Sequence, residues 1–176
     1  MSQLTEFYSG EGKDAEGRTL EVILGMDDED MEIEHDYIQW LFPLKEHSRF
    51  NADAPILTDE DIKAFQADTM EGKLMKYRLL KSFHRFLNFL GLEYHEDEFG
   101  KGGWRVKKAD NFAARRPEVW NRPNHNWLRI TRCLGSLRLL GMKAECSAFF
   151  DFLKNLHNRE ALVTDDTFAY WQEAVC

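Results

Sequence analysis

The sequence has few of the residues, and none of the long apolar runs, that mark the common specialised classes of protein. Its three cysteines, Cys133, Cys146 and Cys176, are too few for a disulfide framework and lack the spacing of zinc ligands. No uncharged apolar run approaches the roughly 18 residues that cross a bilayer. The acidic, polar start is unlike a signal peptide. We therefore expect a cytoplasmic protein without a transmembrane segment, in a reducing compartment.

Motifs of catalysis and cofactor binding are also absent. The sequence contains no phosphate-binding loop, dinucleotide fingerprint, nucleophile elbow or HExxH metal motif. We accordingly expect no cofactor, no metal ion and no assignable catalytic residue. An enzyme of unrecognised type acting on an anionic substrate stays open as an alternative, with His125 as acid or base and with Arg129 and Arg132 holding the anion.

The amino-acid composition is that of a globular protein, and its charges are unevenly distributed along the chain. Apolar residues make up 43% and charged residues 31% of the 176 residues. Residues 1–62 hold 17 Asp and Glu against 4 Lys and Arg, whereas residues 63–160 hold 11 against 19. We expect the acidic and the basic parts to pair with each other. A nucleic-acid partner is not expected, because the acidic part would repel it.

Helix signals dominate the chain, and no alternating apolar pattern lasts long enough to predict a sheet. Thr19, Asp27, Thr58 and Thr164 are predicted N-caps. Seven helices are predicted: after Thr19, after Asp27 as far as Phe42, after Thr58, from about Met70 to Leu90, over about 126–140 and about 144–157, and from Thr164 to the C-terminus. The predicted fold is therefore all-α, a single compact domain of six or seven helices over residues 1–176. Residues 1–18 are predicted to be loosely ordered, and residues 92–124 to form one long irregular loop.

The helix near 70–90 carries an apolar stripe that predicts its buried face. The residues of this stripe recur at helical spacing and are Leu74, Tyr77, Leu80, Phe83, Leu87 and Leu90. We interpret them as core residues.

The predicted helix 126–140 holds the strongest candidate binding site. It is apolar nearly all round, which predicts an enclosed position, yet Arg129 and Arg132 lie three residues apart on one side. A buried guanidinium needs a carboxylate, a carbonyl or a bound anion. Asn124, His125 and Asn126 lie at the start of the helix, where N–H groups favour negative charge. Two interpretations remain open: arginines that pair internally, and a pocket for a small anionic or peptide ligand.

Two further segments carry weaker candidates. His35, Tyr37 and Trp40 are secondary candidates for ligand contacts, although a single histidine on an apolar stripe is more typical of a core. The segment 104–127 interleaves Trp104, Trp120 and other aromatic residues with lysines and arginines. That pattern suits either stacking of nucleic-acid bases or anchoring of a loop on the core, and we favour anchoring.

Four stretches resemble one known family in order and spacing. HDYIQWLFP at 35–43 and NHNWLRITRCLGSLRLLG at 124–141 resemble the two signature stretches of the opioid growth factor receptor conserved domain. FYSG at 7–10 and FAYWQEAVC at 168–176 extend the resemblance over most of the chain.

The resemblance implies a function that the residues alone do not show. Animal members of the family are described as receptors for the pentapeptide Met-enkephalin, associated with the nucleus and its envelope. It implies an opioid peptide receptor activity for a soluble binding domain, and a nuclear or nuclear-envelope location if this chain follows the animal members. It implies no peptide-contacting residues. A structural or protein-interaction domain, with a protein partner, is the main alternative.

Overall fold

Ten α-helices and one two-stranded antiparallel sheet make up the described part of a computed structural model, which covers residues 1–49, 51–96 and 103–176. The helices are α1 (Gln3–Ser9), α2 (Leu20–Leu24), α3 (Asp28–Ile33), α4 (Ile38–Leu41), α5 (Asp59–Gln66), α6 (Met70–Phe89), α7 (Phe112–Val119), α8 (His125–Leu139), α9 (Lys143–Asn155) and α10 (Asp165–Val175). A π-helical turn, Leu156–Glu160, follows α9, and the strands are β1 (Leu92–Glu96) and β2 (Trp104–Lys108). The predicted all-α class is confirmed in its broad form, because the described residues are mainly helical and add one small two-stranded sheet.

The chain forms two compact units. Unit 1 comprises Met1–Phe83 with Leu139–Gly141, and unit 2 comprises His84–Arg138 with Met142–Cys176. The single domain over residues 1–176 stays a prediction.

Unit 1 has an aromatic core to which the start of the chain contributes. The ring of Phe7 lies 5.3 Å from that of Trp40, and the ring of Tyr8 lies 5.1 Å from that of Phe65. The Tyr8 hydroxyl donates a hydrogen bond to the carbonyl of Leu41 at 2.6 Å. α1 buries these aromatic side chains against later helices of unit 1, so Gln3–Ser9 is ordered within the segment 1–18 that was predicted to be loosely ordered.

The predicted N-caps are confirmed where the structure shows their hydrogen bonds. The side chains of Thr19, Asp27 and Thr164 each accept from the backbone N–H three residues later. Thr58 and Asp61 form a reciprocal capping box at the start of α5. These caps depend on local chemistry alone, which is why the sequence predicts them.

The helix predicted to run from Asp27 to Phe42 is two helices, α3 and α4. Glu34 adopts an extended backbone, and the Tyr37 hydroxyl donates to the Met31 carbonyl at 3.0 Å across the break. The described residues form ten helices where six or seven were predicted. The additional helices come from this break and from α1 and α7, which were not predicted. Short helices satisfy few of their own backbone groups and depend on tertiary contacts, so periodicity detects them poorly.

Residues 92–124 are not one irregular loop, and this prediction is corrected. β1 pairs with β2 in antiparallel register, with Tyr94 opposite Val106 and Glu96 opposite Trp104. α7 follows, and the indole of Trp120 at its end donates to the Leu90 carbonyl at 2.9 Å. The apolar and polar residues of β2 alternate only from Trp104 to Lys107, which is too short a pattern for the sequence to predict a strand.

Tryptophans anchor unit 2. The Trp127 indole donates to the Val119 carbonyl at 2.7 Å, and the Trp171 indole donates to the Trp127 carbonyl at 3.1 Å. The favoured interpretation of segment 104–127, anchoring on the core, holds for Trp120 and Trp127, which are buried. It is wrong for Trp104, half of whose surface is exposed.

None of the helices in the described residues is both long enough and apolar enough to cross a membrane.

Candidate functional site

The start of α8 is built by Asn124. Its side-chain oxygen accepts from the backbone N–H of Asn126 at 2.9 Å. Its side-chain nitrogen donates to the carbonyls of Val119 at 3.0 Å and Arg122 at 2.8 Å. Asn124 therefore caps the helix and fixes the preceding turn, which is a structural use of its amide.

Asn126 and Arg129 form a buried polar pair one turn into α8. They are 0% and 4% exposed, and an Arg129 Nη donates to the Asn126 side-chain oxygen at 3.2 Å. The Arg129 guanidinium also lies 5.8 Å from the centre of the Phe89 ring. Arg115 approaches the same ring at 4.6 Å, and its Nε donates to the Phe89 carbonyl at 2.7 Å. Phe89 thus contacts two cationic side chains, which stabilises both.

The structure brings together only part of the predicted α8 site. His125 is exposed at the start of the helix, whereas Arg132 is half-buried one turn beyond Leu128. Arg129, which is predicted to hold a ligand, is nearly closed off from solvent. The five residues Asn124, His125, Asn126, Arg129 and Arg132 therefore differ in access, and their role in ligand binding stays a prediction.

The secondary candidates lie in unit 1. His35 is exposed, Tyr37 is buried with its hydroxyl on the Met31 carbonyl, and Trp40 is 3% exposed. Trp40 also lies in the wall of a groove of about 610 Å³ whose charged residues include Lys13 and Asp14. Tyr37 and Trp40 therefore belong mainly to the core of unit 1.

Unit 2 contains a groove that sequence reasoning did not predict as a site. It has a volume of about 540 Å³ and lies between β2 and α9. Its residues are Trp104, Arg105 and Val106 from β2, and Ala148, Asp151, Phe152, Lys154 and Asn155 from α9. The groove therefore combines aromatic side chains with charges of both signs.

The exposed ring of Trp104 rests on a tyrosine. The ring of Tyr94 lies 4.9 Å from that of Trp104 and 5.7 Å from that of His84. Burial, with a smaller contribution from the Glu145 carboxylate, raises the pKa of Tyr94 to about 12. Burial lowers the pKa of His84, against an opposing effect of Glu145. Tyr94 is therefore an uncharged, apolar support for Trp104 at neutral pH.

A signal for this groove exists in the sequence but is weak. Residues 100–108 are rich in glycine and lysine, and Trp104 is the one large aromatic residue among them. Its position in this stretch is unusual. For the wall formed by α9, the sequence shows only how polar and aromatic residues are spaced along the helix, and this spacing does not predict a groove. Nothing in the sequence places β2 beside α9.

No group of three or more His, Cys, Asp or Glu side chains in the described ranges is arranged to hold a metal ion.

The cysteines of unit 2 differ sharply in access. Cys133 and Cys146 are buried and Cys176 is exposed. Burial raises the pKa of Cys146 to about 11, and its thiol donates to the Leu134 carbonyl at 3.4 Å. Burial also raises the pKa of Cys133. Thiols held in the neutral form react slowly, because the thiolate is the nucleophile.

We expect one of the three thiols to react quickly with a disulfide reagent such as DTNB at pH 8. The absorbance released by folded protein should correspond to one thiol, and unfolding in denaturant should release the remaining two. Cys176→Ser should remove the fast phase. A fast phase that persists in this variant would contradict the burial of Cys133 and Cys146.

Comparison with known proteins identifies the family. The sequence model of the opioid growth factor receptor (OGFr) conserved region matches residues 6–176. The chain belongs to the opioid growth factor receptor family. The OGFr conserved region thus includes α8, the hairpin of β1 and β2, and both walls of the groove.

Individual relatives agree with this assignment. The chain is 39% identical over 113 residues to the opioid growth factor receptor of Rattus norvegicus, covering 64% of this chain and 18% of the relative. It is 38% identical over 137 residues to the opioid growth factor receptor-like protein 1 of Mus musculus, covering 78% of this chain and 26% of the relative. The Xenopus tropicalis protein of that name is 37% identical over 129 residues, covering 72% of this chain and 23% of the relative.

The matches therefore span a quarter or less of the length of most of these relatives. No solved structure matches the chain significantly.

Proposed function

We propose that this chain is a peptide-binding domain of the opioid growth factor receptor family, and that it binds an opioid peptide such as Met-enkephalin in the groove between β2 and α9. The name of the rat relative, opioid growth factor receptor, supports a receptor of this type, whereas the mouse and frog relatives are named opioid growth factor receptor-like protein 1. Because the chain matches only 18% of the rat receptor, the activity of the whole relative is itself part of the proposal.

The observation that carries the proposal is the chemistry of the groove. Its volume of about 540 Å³ lies within the range of roughly 300–1,000 Å³ that ligand sites occupy. Trp104 and Phe152 offer aromatic surface, on which aromatic side chains of a peptide can stack. Asp151 can bind an amino-terminal ammonium, and Arg105 and Lys154 can bind a carboxylate. A short zwitterionic peptide with aromatic side chains satisfies all three requirements.

The predicted α8 residues divide between two roles in this proposal. Asn124, Asn126 and Arg129 position α8 within unit 2 through the contacts described above. His125 and Arg132 are retained as a second candidate contact for an anionic group, because they are the more accessible members of the set.

Binding of Met-enkephalin tests the proposal directly. A ligand at about 100 times its Kd adds roughly 2.7 kcal/mol to the stability, which raises the Tm by several degrees for a chain of this size. We expect such a shift in the Tm. We also expect Trp104→Ala to raise the Kd for Met-enkephalin, measured by calorimetry, at least tenfold. Half of the Trp104 surface is exposed, so the variant should fold.

Tyr170→Ala is the matched control. Tyr170 is an aromatic residue of α10, 64% exposed, outside the residues of the groove. The Tyr170→Ala variant should leave the Kd for Met-enkephalin unchanged. A pentapeptide of the same composition as Met-enkephalin, in scrambled order, should bind weakly. Absence of binding would overturn the proposal. Binding that ignores Trp104→Ala but is lost in Arg132→Ala would move the site to α8.

A further inference from the structure

The outward face of α6 in unit 1 carries a row of large side chains. Met70, Leu74 and Tyr77 are 84%, 40% and 60% exposed. The row continues to Lys81, which is exposed and whose ammonium nitrogen lies 5.9 Å from the centre of the Tyr77 ring. Part of the apolar stripe that the sequence predicts as core is therefore open to solvent. Contiguous exposed apolar surface of this kind marks places where proteins associate.

The spacing of this row is that of a surface on which two helices pair. Its four members, Met70, Leu74, Tyr77 and Lys81, follow one another at intervals of four, three and four residues, which is the spacing of the a and d positions of a coiled coil. Side chains at these intervals share one narrow face of a helix. We call this face the α6 seam. The opposite face of α6 is the buried one, since it carries Met75 and Leu79, which are 2% and 0% exposed.

We infer that the α6 seam binds the α6 seam of a second copy of the chain, with the two helices antiparallel. A two-fold axis through the seam then places Leu74 of each copy against Tyr77 of the other, and Met70 against Lys81. A contact of this type uses the same surface twice and closes as a dimer. The inference is independent of the proposed function, because none of the residues of the groove in unit 2 lies on α6.

The charges at the two ends of the seam favour the antiparallel direction. Glu71 and Lys81 are both exposed and ten residues apart, which is about 15 Å along a helix and too far for contact within one copy. In an antiparallel pair Lys81 of each copy reaches Glu71 of the other, while its alkyl chain covers Met70. In a parallel pair the two Lys81 side chains would face each other and repel.

The same charges favour a second copy over an unrelated helix. The seam has an acidic end and a basic end, so it is complementary to itself when one copy is reversed. Lys73, at the edge of the seam, is paired with Asp68 at 2.7 Å and leaves this balance unchanged. An acidic helix from another protein would match Lys81 but would be repelled by Glu71.

Sedimentation velocity of the whole chain measures the dimer directly. We expect a dimer Kd of roughly 10–100 µM, because one helix face makes an interface at the small end of the usual range. Tyr77→Lys should raise this Kd at least about tenfold, since it places an ammonium at the centre of an apolar contact. Tyr170→Lys is the matched control: Tyr170 is 64% exposed on α10, so the same exchange there should leave the dimer Kd unchanged.

Two charge reversals test the antiparallel direction. Glu71→Lys and Lys81→Glu should each raise the dimer Kd about fivefold or more, because each sets like charges against each other at both ends of the seam. An equimolar mixture of the two variants should recover the Kd of the unmodified chain. In the mixed dimer one contact joins the two introduced side chains, and the other is the natural pair of Glu71 with Lys81. Both positions are exposed, and the Tm of each variant checks its folding.

Three results would overturn the inference. The first is a chain that stays monomeric throughout this range of concentrations. The second is a dimer that persists unchanged in folded Tyr77→Lys, because its contact would then lie elsewhere. The third is a dimer that Lys81→Glu alone strengthens, or a mixture of the two reversals that associates no better than either variant, since both contradict antiparallel pairing. Binding of Met-enkephalin is measured separately by calorimetry, so failure of the dimer and failure of the proposed function are distinguishable.

Discussion

Replacing Gly91 by alanine is expected to lower the free energy of unfolding by about 3 kcal/mol. Gly91 follows α6 with a φ of +82°, a conformation that costs an L-residue about 1–2 kcal/mol. A Cβ at this position would lie 2.8 Å from the Cα of Phe112. A clash with backbone forces a shift of α7 or of the α6 terminus, and overpacking of this kind costs roughly 1–3 kcal/mol more. Denaturant unfolding followed by circular dichroism measures the change.

Gly141→Ala separates the clash from the backbone strain. Gly141 has nearly the same φ, +84°, but a Cβ there would meet the side chain of Gln66 at 3.2 Å or more. A flexible side chain can move aside, so we expect a loss of about 1–2 kcal/mol from conformation alone. Equal losses for the two variants would show that α7 does not approach Gly91 as closely as the structure places it.

The predictable part of the fold is the part that local chemistry determines. Thr58 caps α5 because its hydroxyl accepts an N–H that the helix leaves unsatisfied, and Gly91 ends α6 because glycine adopts a positive φ readily. The face that α6 buries was harder to predict. Leu74 and Tyr77 are exposed although they continue the apolar stripe, while Met75 is buried instead. Which face is buried depends on the partner of the helix, and periodicity does not contain that information.

The candidate site shows the same division between local and long-range information. The sequence predicts an enclosed α8 and a buried cation, and Arg129 is 4% exposed. It does not predict the groove, because β2 and α9 are more than thirty residues apart in sequence. Trp104 becomes a candidate only once the hairpin places it beside Phe152.

Arg129→Ala is expected to lower the free energy of unfolding by about 3 kcal/mol and to leave the Kd for Met-enkephalin unchanged. Removing one partner of a buried charged hydrogen bond typically costs about 2–4 kcal/mol, since the remaining polar atoms stay buried. Here the Asn126 side-chain oxygen loses the donor at 3.2 Å, and Phe89 loses one of its two cationic neighbours. Denaturant unfolding measures the first quantity. Calorimetry at a temperature where the variant stays folded measures the second.

Arg132→Ala is the matched control for this prediction, because Arg132 lies three residues further along α8 and is half-buried. A smaller loss of stability, within about 1.5 kcal/mol, is expected, since water can solvate the groups that Arg132 leaves behind. Arg129→Lys should recover part of the loss, because an ammonium retains the charge but not the planar fork of donors. If Arg129→Ala instead keeps its stability and loses the peptide, Arg129 contacts the ligand, and the site lies at α8 rather than in the groove.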